Sequence, residues 1–560
     1  MEDRIDKNEK RYNIYFSQDA LEAPDIKMPA IIFTPIEDRW NDFAYRCRYS
    51  YIVYKNGVHH EITGTVFLGF LNSDNRVNKN GRIEITESFC SANDLPDFFT
   101  LQGGMEEYRF FINEHGIKES NKLLLELNDL VAIKRISKVS TWFSKAVKTE
   151  VFSLAFMRDS ERFFAFHNAY SLLDGLDGEE LDRISNHLSL NYKLDCFSTD
   201  HNFDLKFDLN SLLPKRINVL IGCNGLGKSR ALSVIVQSLL KGDDNFSDHA
   251  YDRPMISRIL AIETPGDTSD TFPAERVNKR IKYRRLVLNR YSQSKSARGF
   301  GDLCVQLARS LESIGSKSRW QIFIESLSFN NSFKDIVIPL SRHIETSSSH
   351  IIWSGEKNYV HLFDLRKGSE QAKLEIWNAV PEKAIPYRMI NGEAFPLSSG
   401  ELAFLKFSTQ ACLFVENGTL VLLDEPETHL HPNFISEFIR LLNRLLEMTG
   451  SIAILATHSA YFVREMPRSQ VLVFKKDIEV NGVNIQNPRL KTFGAEIGSI
   501  SYFVFEDEIS NVLVNELVNK LPEDIDGKVK ALKELEDELS SEVLMYLRRK
   551  LDIGQNIEED

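Results

Sequence analysis

The sequence predicts an α/β fold that is built around a phosphate-binding loop. The apolar run of residues 217–221 has the composition of a buried strand. It continues directly into Gly222-Cys-Asn-Gly-Leu-Gly-Lys-Ser229, which matches the pattern G-x-x-x-x-G-K-[ST]. The residues that follow, through Leu239, carry apolar side chains at helical spacing. A strand, a glycine-rich loop and a helix in this order are the elements that a P-loop requires.

The glycine-rich loop is predicted to bind the phosphates of ATP. Glycines let the backbone turn its N–H groups toward phosphate oxygens, and the start of a helix adds a favourable field for anions. The Lys228 side chain can reach the β- and γ-phosphates, and the Ser229 hydroxyl can ligate Mg²⁺. The predicted nucleotide-binding residues of the loop are Gly222, Asn224, Gly225, Gly227, Lys228 and Ser229.

A second apolar strand supplies the acidic partner that a P-loop needs. Residues 419–423 are apolar or neutral, and they lead into Asp424 and Glu425. We predict that Asp424 holds the Mg²⁺ and that Glu425 polarises the attacking water. The alternative is a strand that ends in a solvated pair of acids. The P-loop upstream favours the catalytic interpretation.

Two more motifs surround the acidic strand. Upstream, Leu-Ser-Ser-Gly-Glu at 397–401 precedes a helical pattern, and Ser398, Gly400 and Glu401 form a predicted anion site at its start. Downstream, His458 follows the short apolar strand predicted at 452–456. In isolation the serine motif is typical of a plain helix cap, and a lone histidine is more often structural than functional.

The order of these motifs resembles that of the ABC-type ATPases. In that class LSSGE corresponds to the signature motif and His458 to the switch histidine. The resemblance implies a homodimer, or a higher oligomer, that binds ATP and Mg²⁺ in a head-to-tail sandwich. Ser398, Gly400 and Glu401 of one protomer would then face the γ-phosphate that the P-loop of the other protomer holds.

The same class places a metal-contacting glutamine after another strand of the sheet. Gln293 is our candidate for this residue, because it follows the predicted strand in "KYRRLVLNRYSQS". Glu263 begins an equally good loop after the strand predicted within "RPMISRILAIETPGD", so the role remains open between the two loops.

The sequence DEPETHLHP at 424–432 is similar to the RecF/OLD-like branch of the class. This branch includes DNA-repair ATPases and the PtuA-type ATPase subunits of Septu or retron-linked anti-phage systems. The resemblance implies an ATP-driven switch that controls a separate effector nuclease, of HNH type, or retron components. The charged amphipathic pattern at 526–552 is predicted to dock such a partner. The alternatives are a RecF-like repair ATPase that acts on DNA and an ATP-locked assembly scaffold with little turnover.

Residues 276–290 form a basic stretch in a chain whose net charge is −12. Its cations could follow the phosphate backbone of DNA or RNA. They could instead belong to an edge strand with charged faces, or contact an acidic partner. The basic residues are Arg276, Lys279, Arg280, Lys282, Arg284, Arg285 and Arg290.

The composition, 42% hydrophobic and 26% charged residues in 560, is typical of a globular protein without membrane spans. The scattered cysteines form no CxxC pair, which predicts a reducing, cytoplasmic setting. We predict a β-rich module at 1–195, in which 107–116 forms a strand. An ATPase domain at 196–475, with a helical insertion at about 240–390, and a mainly helical region at 476–560 complete the chain.

Overall fold

The computed structural model describes most of the chain. The described residues are 12–18, 27–36, 45–55, 58–72, 89–136, 140–250, 253–263, 271–275, 280–287, 299–329, 331–341, 350–355, 357–429, 432–505, 516–522, 524–536, 538–539, 543–544, 547–548 and 551.

The strands belong to several sheets. In chain order they are β1 (Asn13–Ser17), β2 (Ala30–Pro35), β3 (Arg48–Lys55), β4 (Val58–Phe70), β5 (Phe89–Ser91), β6 (Phe98–Leu101), β7 (His187–Tyr192), β8 (His201–Lys206), β9 (Ile217–Gly222), β10 (Phe246–Asp248), β11 (Arg258–Glu263), β12 (Lys282–Val287), β13 (Ser313–Ile314), β14 (Lys317–Ser318), β15 (Ile336–Leu340), β16 (Ile351–Ser354), β17 (Lys357–His361), β18 (Tyr387–Ile390), β19 (Glu393–Pro396), β20 (Thr419–Asp424), β21 (Ile452–Thr457), β22 (Val471–Asp477) and β23 (Gly482–Gln486).

The helices lie mostly between these strands. In chain order they are α1 (Met105–Glu126), α2 (Leu130–Ile136), α3 (Thr141–Ala146), α4 (Ser160–Asn168), α5 (Lys228–Lys241), α6 (Phe300–Arg309), α7 (Arg319–Leu327), α8 (Glu370–Ala379), α9 (Ser399–Phe414), α10 (Pro432–Thr449), α11 (Ala460–Arg464), α12 (Ile497–Phe505) and α13 (Ile525–Glu534).

The centre of the molecule is a seven-stranded sheet in the order β12-β11-β20-β21-β9-β22-β23. All neighbours pair in parallel except β22 and β23, which are antiparallel. Strands β9, β11, β20 and β21 are buried at every residue, as expected where helices or other strands cover both faces of a parallel sheet. Because these strands are parallel, their carboxyl ends meet at one edge, where the P-loop and the acidic pair both lie.

The two faces of this sheet contact different elements. Val219 on β9 packs into a core shared with α7, α9 and α10. Its neighbour Leu220 packs on the opposite face against α5 and the three-stranded sheet β10-β7-β8. Successive side chains of a strand point to opposite faces, so each central strand supplies both cores. The sheet continues through β23, and therefore crosses the boundary expected at 475.

The region expected as a helical insertion, about 240–390, contains strands as well as helices. Helices α6, α7 and α8 are present, and β15 to β19 build a five-stranded antiparallel sheet in the order β16-β17-β15-β18-β19. This sheet ends just before the Leu397–Glu401 motif. Strands β11 and β12 of the same region join the central sheet.

The amino-terminal module contains the predicted β-rich sheet, in the order β5-β1-β2-β3-β4-β6. The strand predicted at 107–116 is wrong, because these residues belong to α1. The helical spacing of the buried side chains Tyr108, Phe111 and Ile112 explains the difference. Gly116 interrupts the helix with a positive φ of 73°.

None of the helices in the described ranges combines the length and the apolar character of a membrane span. All six cysteines lie in described segments, and all are free thiols.

A buried ionic network joins the amino-terminal module to the central sheet and its helices. Arg109 of α1 donates to Glu179 at 2.6 Å and 2.7 Å and to Glu416 at 2.6 Å. Glu416 lies between α9 and β20, and Arg319 of α7 donates to its other oxygen at 3.4 Å. The side chains of Arg109, Arg319 and Glu416 are at most 3% exposed. The network therefore joins three parts of the chain at a position buried from solvent.

The network extends to the first residue of β11. Arg258 pairs with Glu161 and donates to Glu106 at 2.6 Å. Burial opposes ionisation of Glu416, but the charges of Arg109, Arg258 and Arg319 outweigh it and hold the pKa of this carboxyl far below its usual range. Glu416 is thus a buried anion that three guanidinium groups stabilise.

We expect Glu416→Ala to destabilise the protein by about 3–5 kcal/mol, because it removes one of the two buried carboxylates that pair with Arg109 and leaves guanidinium N–H groups without an acceptor. A urea titration followed by tryptophan fluorescence should show a lower midpoint. Glu119→Ala is the matched control. Glu119 pairs with Lys55 where both side chains are more than one-third exposed, so its loss should cost less than about 1 kcal/mol. Equal midpoints for the two variants would contradict a structural role of the network.

Candidate active site at the carboxyl edge of the central sheet

The P-loop connects β9 to α5 through backbone conformations that only glycine adopts easily. Gly222 has a φ of 152°, and a Cβ atom there would lie 2.3 Å from the carbonyl oxygen of Phe474. Gly227 has a φ of 96°. The Tyr192 hydroxyl of β7 donates to the Gly227 carbonyl at 2.9 Å and holds the end of the loop. Residues 223–225 are exposed, so the loop is open to a ligand.

Lys228 lies beneath the loop. Its Nζ donates to the carbonyl oxygens of Gly222 at 2.8 Å and Cys223 at 2.9 Å. Burial lowers the pKa of Lys228 to about 8, although Glu425 and other nearby acids favour the charged form. Two backbone carbonyls therefore hold the ammonium group at the phosphate loop. An anion bound in the loop would stabilise its charge.

Ser229 and Asp424 come together at the meeting point of α5 and β20. The Ser229 hydroxyl donates to Asp424 Oδ1 at 2.9 Å. An octahedral Mg²⁺ with oxygens at about 2.1 Å places adjacent ligands about 3.0 Å apart, so the two oxygens fit such an ion without moving. Burial raises the pKa of Asp424, while hydrogen bonds from Thr271 and Ser229 oppose the shift. A divalent cation would favour the ionised form further.

Glu425 is held against His458. Its Oε1 lies 2.8 Å from His458 Nε2, and Lys228 Nζ lies 3.4 Å from His458 Nδ1. The hydrogen bond with His458 holds the pKa of Glu425 below its usual value, against the effect of burial. Glu425 also has a φ of 47°, an unfavourable backbone conformation for a glutamate, and such conformations cluster at functional sites. The residue is an ionised carboxylate beside the phosphate loop.

The predicted signature residues lie at the amino terminus of α9. Ser398 caps the helix through a reciprocal capping box with Glu401, with oxygen and nitrogen atoms 2.8–3.3 Å apart. Glu401 also pairs with Arg388 of β18. Ser398 is exposed, and Gly400 is buried. Within the described residues, the side chains of Ser398 and Glu401 bond to each other, Glu401 also pairs with Arg388, and neither side chain reaches the chain's own P-loop.

The family model "AAA domain, putative AbiEii toxin, Type IV TA system" matches residues 390–464. This match includes α9, β20 and β21, and with them the signature motif, the acidic pair and His458. The core is an α/β fold in which a P-loop and the acidic end of β20 share one edge of a parallel sheet. It thus matches the fold that the motif order implied.

The proteins similar to this chain include two curated proteins and one solved structure. Protein ea59 of Escherichia phage lambda is 25% identical over 503 residues, which cover 85% of this chain and 86% of that protein. The probable ABC transporter ATP-binding protein p29 of Mesomycoplasma hyorhinis is 26% identical over 176 residues, 30% of this chain and 66% of that protein. The crystal structure of UvrA2 from Deinococcus radiodurans aligns at 13% identity with a TM-score of 0.28, covering 57% of this chain and 40% of that chain.

Two residues of this site were not found from the sequence. Thr271 donates to Asp424 Oδ2 at 2.6 Å. Glu427 accepts from the Thr457 hydroxyl at 2.6 Å and from the His458 amide at 2.7 Å, and so fixes the turn that carries the histidine. Glu427 stands in the acidic motif and could have been considered. Thr271 has no recognisable sequence signal.

The candidate glutamine, Gln293, lies outside the described residues. The strand that precedes it, β12, is at the edge of the described sheet and is separated from β20 by β11. The last residue of β11, Glu263, pairs in register with Asp424. Thr271, in the connection that follows β11, donates a hydrogen bond to Asp424. Its position favours the loop after β11 for a metal-contacting role.

Most described cations of the basic stretch are paired with acids. Lys282 contacts Glu161 at 2.8 Å, Arg284 contacts Glu275 at 3.4 Å, and Arg285 donates to Glu263 at 2.9 Å. This arrangement matches the alternative of an edge strand with charged faces. Arg280 is half-buried, and next to Arg158. The predicted cations outside the described residues are Arg276, Lys279 and Arg290.

Proposed function

We propose that this chain binds and hydrolyses ATP with Mg²⁺, and that it does so as a nucleotide-sandwich dimer. One observation carries the proposal. The central sheet brings the P-loop hydroxyl of Ser229 to Asp424 and, beside it, the carboxylate of Glu425 to His458, with Lys228 next to both pairs. The groups that would serve as cation, metal ligands and base thus lie together at one edge of the sheet.

Each residue has a role that its position supports. The backbone N–H groups of the P-loop and the Lys228 ammonium would hold the β- and γ-phosphates. Ser229 and Asp424 would ligate Mg²⁺, which neutralises phosphate charge when it is bound. Glu425 is ionised and would orient the attacking water and accept its proton. His458 would position Glu425, and Glu427 would fix His458 in turn.

The position of the Leu397–Glu401 motif at the start of α9 supports a dimer. Ser398 and Gly400 lie at the start of α9, and the hydrogen bonds of Ser398 are local. A second copy of the chain would place its own Ser398, Gly400 and Glu401 over the γ-phosphate. The start of α9, with its N–H groups and hydroxyl, suits that anion. Two-fold symmetry would complete two equivalent sites at once.

ATP affinity should fall as the pH rises through about 8. The lowered pKa means that Lys228 loses its proton in this range, and only the ammonium form pairs with phosphate. Above the pKa, binding must take up a proton, so the affinity should fall by up to about tenfold per pH unit. Equilibrium binding of ATP between about pH 7 and about pH 10 measures it.

The control for this pH series is Lys228→Arg. Its guanidinium group stays protonated throughout the range, so its affinity, even if weaker, should not change with pH. A wild-type affinity that is equally flat would show that Lys228 does not pair with the nucleotide.

Glu425→Gln should retain ATP binding and lose hydrolysis by about 10²–10⁴-fold, because the amide keeps the shape of the side chain but cannot accept the proton. Phosphate release under saturating ATP measures the loss, and size-exclusion chromatography should show a trapped dimer. Glu393→Gln, an exposed position on β19, is the matched control and should hydrolyse at the wild-type rate. Wild-type turnover by Glu425→Gln would remove Glu425 from the mechanism.

Mixing two inactive variants should restore hydrolysis if the site is shared between protomers. In a dimer of Lys228→Ala with Gly400→Asp, one site carries both lesions and the other carries none. We expect recovery of up to about half of the wild-type activity per mixed dimer, because one of its two sites is intact. Each variant alone, and the double variant mixed with either of them, serves as a control. No recovery in demonstrated mixed dimers would contradict head-to-tail sharing.

For the biological role, we propose a switch subunit of a prokaryotic anti-phage system. ATP binding would close the dimer and thereby control a separate effector nuclease, or retron components, docked on residues 476–560. Three observations support this role: the resemblance of the acidic motif to the RecF/OLD-like branch, a matching family described as a toxin of a type IV TA system, and a relative in a phage. The reducing cytoplasm that the free thiols favour is the compartment where such a system would act.

Affinity purification with the neighbouring genes present tests this role. Recovery of a nuclease or a reverse transcriptase with the chain would support it. Hydrolysis that DNA stimulates, with no such partner recovered, would favour the RecF-like repair function instead. Tight ATP binding with negligible turnover under both conditions would favour the assembly scaffold.

A further inference from the structure

Two histidines and an aspartate converge on the outer face of the sheet β10-β7-β8. His187 opens β7, Asp204 lies on β8, and His249 follows the last residue of β10. Because β7 is the middle strand, its side chains are flanked by those of β8 on one side and β10 on the other. The opposite face carries Leu188 and Leu205, which pack into the core beneath the P-loop. The polar cluster therefore lies on a rigid, well-supported surface.

We propose that His187, Asp204 and His249 form a binding site for a divalent metal ion of the Zn²⁺ class. One donor atom from each of the three residues lies within 4.8 Å of the other two. Imidazole nitrogens and a carboxylate oxygen are the ligands that Zn²⁺ takes in sites with three protein ligands. The donor set does not suit Mg²⁺, which prefers oxygen ligands alone.

The Asp204 carboxylate lies between the two histidines, at the distance expected of adjacent ligands. Asp204 Oδ2 lies 3.3 Å from His187 Nε2, and Asp204 Oδ1 lies 3.4 Å from His249 Nε2. A tetrahedral Zn²⁺ with bonds of about 2.05 Å separates its ligands by about 3.3 Å. The two imidazole rings are stacked, with centroids 3.7 Å apart and planes at 18°. An imidazole nitrogen binds a metal ion in the plane of its ring, so one ring must rotate out of this stack for both histidines to hold the same ion.

Ser189 positions the ligands from β7. Its hydroxyl donates to Asp204 Oδ1 at 2.5 Å and lies 2.7 Å from His249 Nε2. Ser189 and Asp204 are direct partners across the two strands, and His187 is two residues earlier on the same face. The side chains of His187, Asp204 and His249 are 33%, 42% and 48% exposed, so an ion can enter and water can occupy the fourth position.

This site is separate from the nucleotide site. Tyr192, at the other end of β7, holds the P-loop, and five residues of strand span roughly 17 Å. A metal ion at His187 would cross-link β10, β7 and β8 at the end farthest from the loop. It would thus stabilise the small sheet that supports Gly227, without taking part in phosphate chemistry. The inference does not depend on ATP hydrolysis.

Zn²⁺ binding to the full-length protein tests the proposal. Competition with a chromophoric chelator should show one Zn²⁺ per chain at this site, and an excess of Mg²⁺ should not displace it. His187→Ala and His249→Ala should each weaken Zn²⁺ binding more than about 100-fold, and Ser189→Ala, which removes only a positioning group, about 10-fold. His115→Ala, a partly exposed histidine elsewhere, should change nothing.

Co²⁺ provides a second measurement that does not depend on the variants. Co²⁺ bound to the wild-type protein should give the intense visible absorption of a tetrahedral site, and an excess of Zn²⁺ should remove it. Circular dichroism and ATP binding check that each variant is folded. Unchanged Zn²⁺ affinity in the His187→Ala/His249→Ala double variant, or no stoichiometric binding to the wild type, would overturn the proposal.

Discussion

The sharing of one buried carboxylate by three arginines is the constraint on which the arrangement of the chain depends. Glu416 sits at the junction between α9, which carries the signature, and β20, which carries the acidic pair. Arg109 comes from the amino-terminal module, Arg258 from the central sheet and Arg319 from the insert. None of these charges could be buried alone, because the desolvation of an unpaired ion costs several kcal/mol. The parts of the chain must therefore assemble together.

This junction also links the amino-terminal module to the chemistry. The short segment that contains Glu416 connects the end of α9 to the start of β20, the strand that leads into Asp424 and Glu425. The module contacts it through Arg109 and Glu179, and Asn417 donates to Glu179 at 2.7 Å. A displacement of the module cannot leave these ion pairs intact unless the junction moves with it. The module is thus structurally joined to the central sheet and to α9.

The sequence was informative where chemistry demands a fixed spacing. The P-loop from Gly222 to Ser229 and the pair Asp424 and Glu425 could be assigned because backbone geometry and phosphate binding permit few alternatives at these positions. Their meeting follows from parallel strands whose carboxyl ends share one edge. In the structure Ser229 lies within hydrogen-bonding distance of Asp424, and Glu425 lies within hydrogen-bonding distance of His458.

The contacts that escaped prediction depend on tertiary structure. Thr271 belongs to no pattern, and only the fold brings it to Asp424. His187, Asp204 and His249 are far apart in the chain, so their proximity depends on how β7, β8 and β10 pair. The strand predicted at 107–116 failed for another reason: aromatic residues favour strands on average, but here their helical spacing decides. Burial of acids, as at Glu416, has no sequence signal at all.

The charged outer strand of the central sheet has a consequence for how copies of the protein can associate. Strand β12 pairs with β11 on one side, and no further strand covers its other side in the described part of the chain. An uncovered edge can template the addition of strands from other molecules, which leads to aggregation. Lys282 and Arg284 are exposed along this edge. A second molecule that approached edge to edge would have to desolvate these charged side chains and their acidic partners, so the sheet resists growth into a fibre.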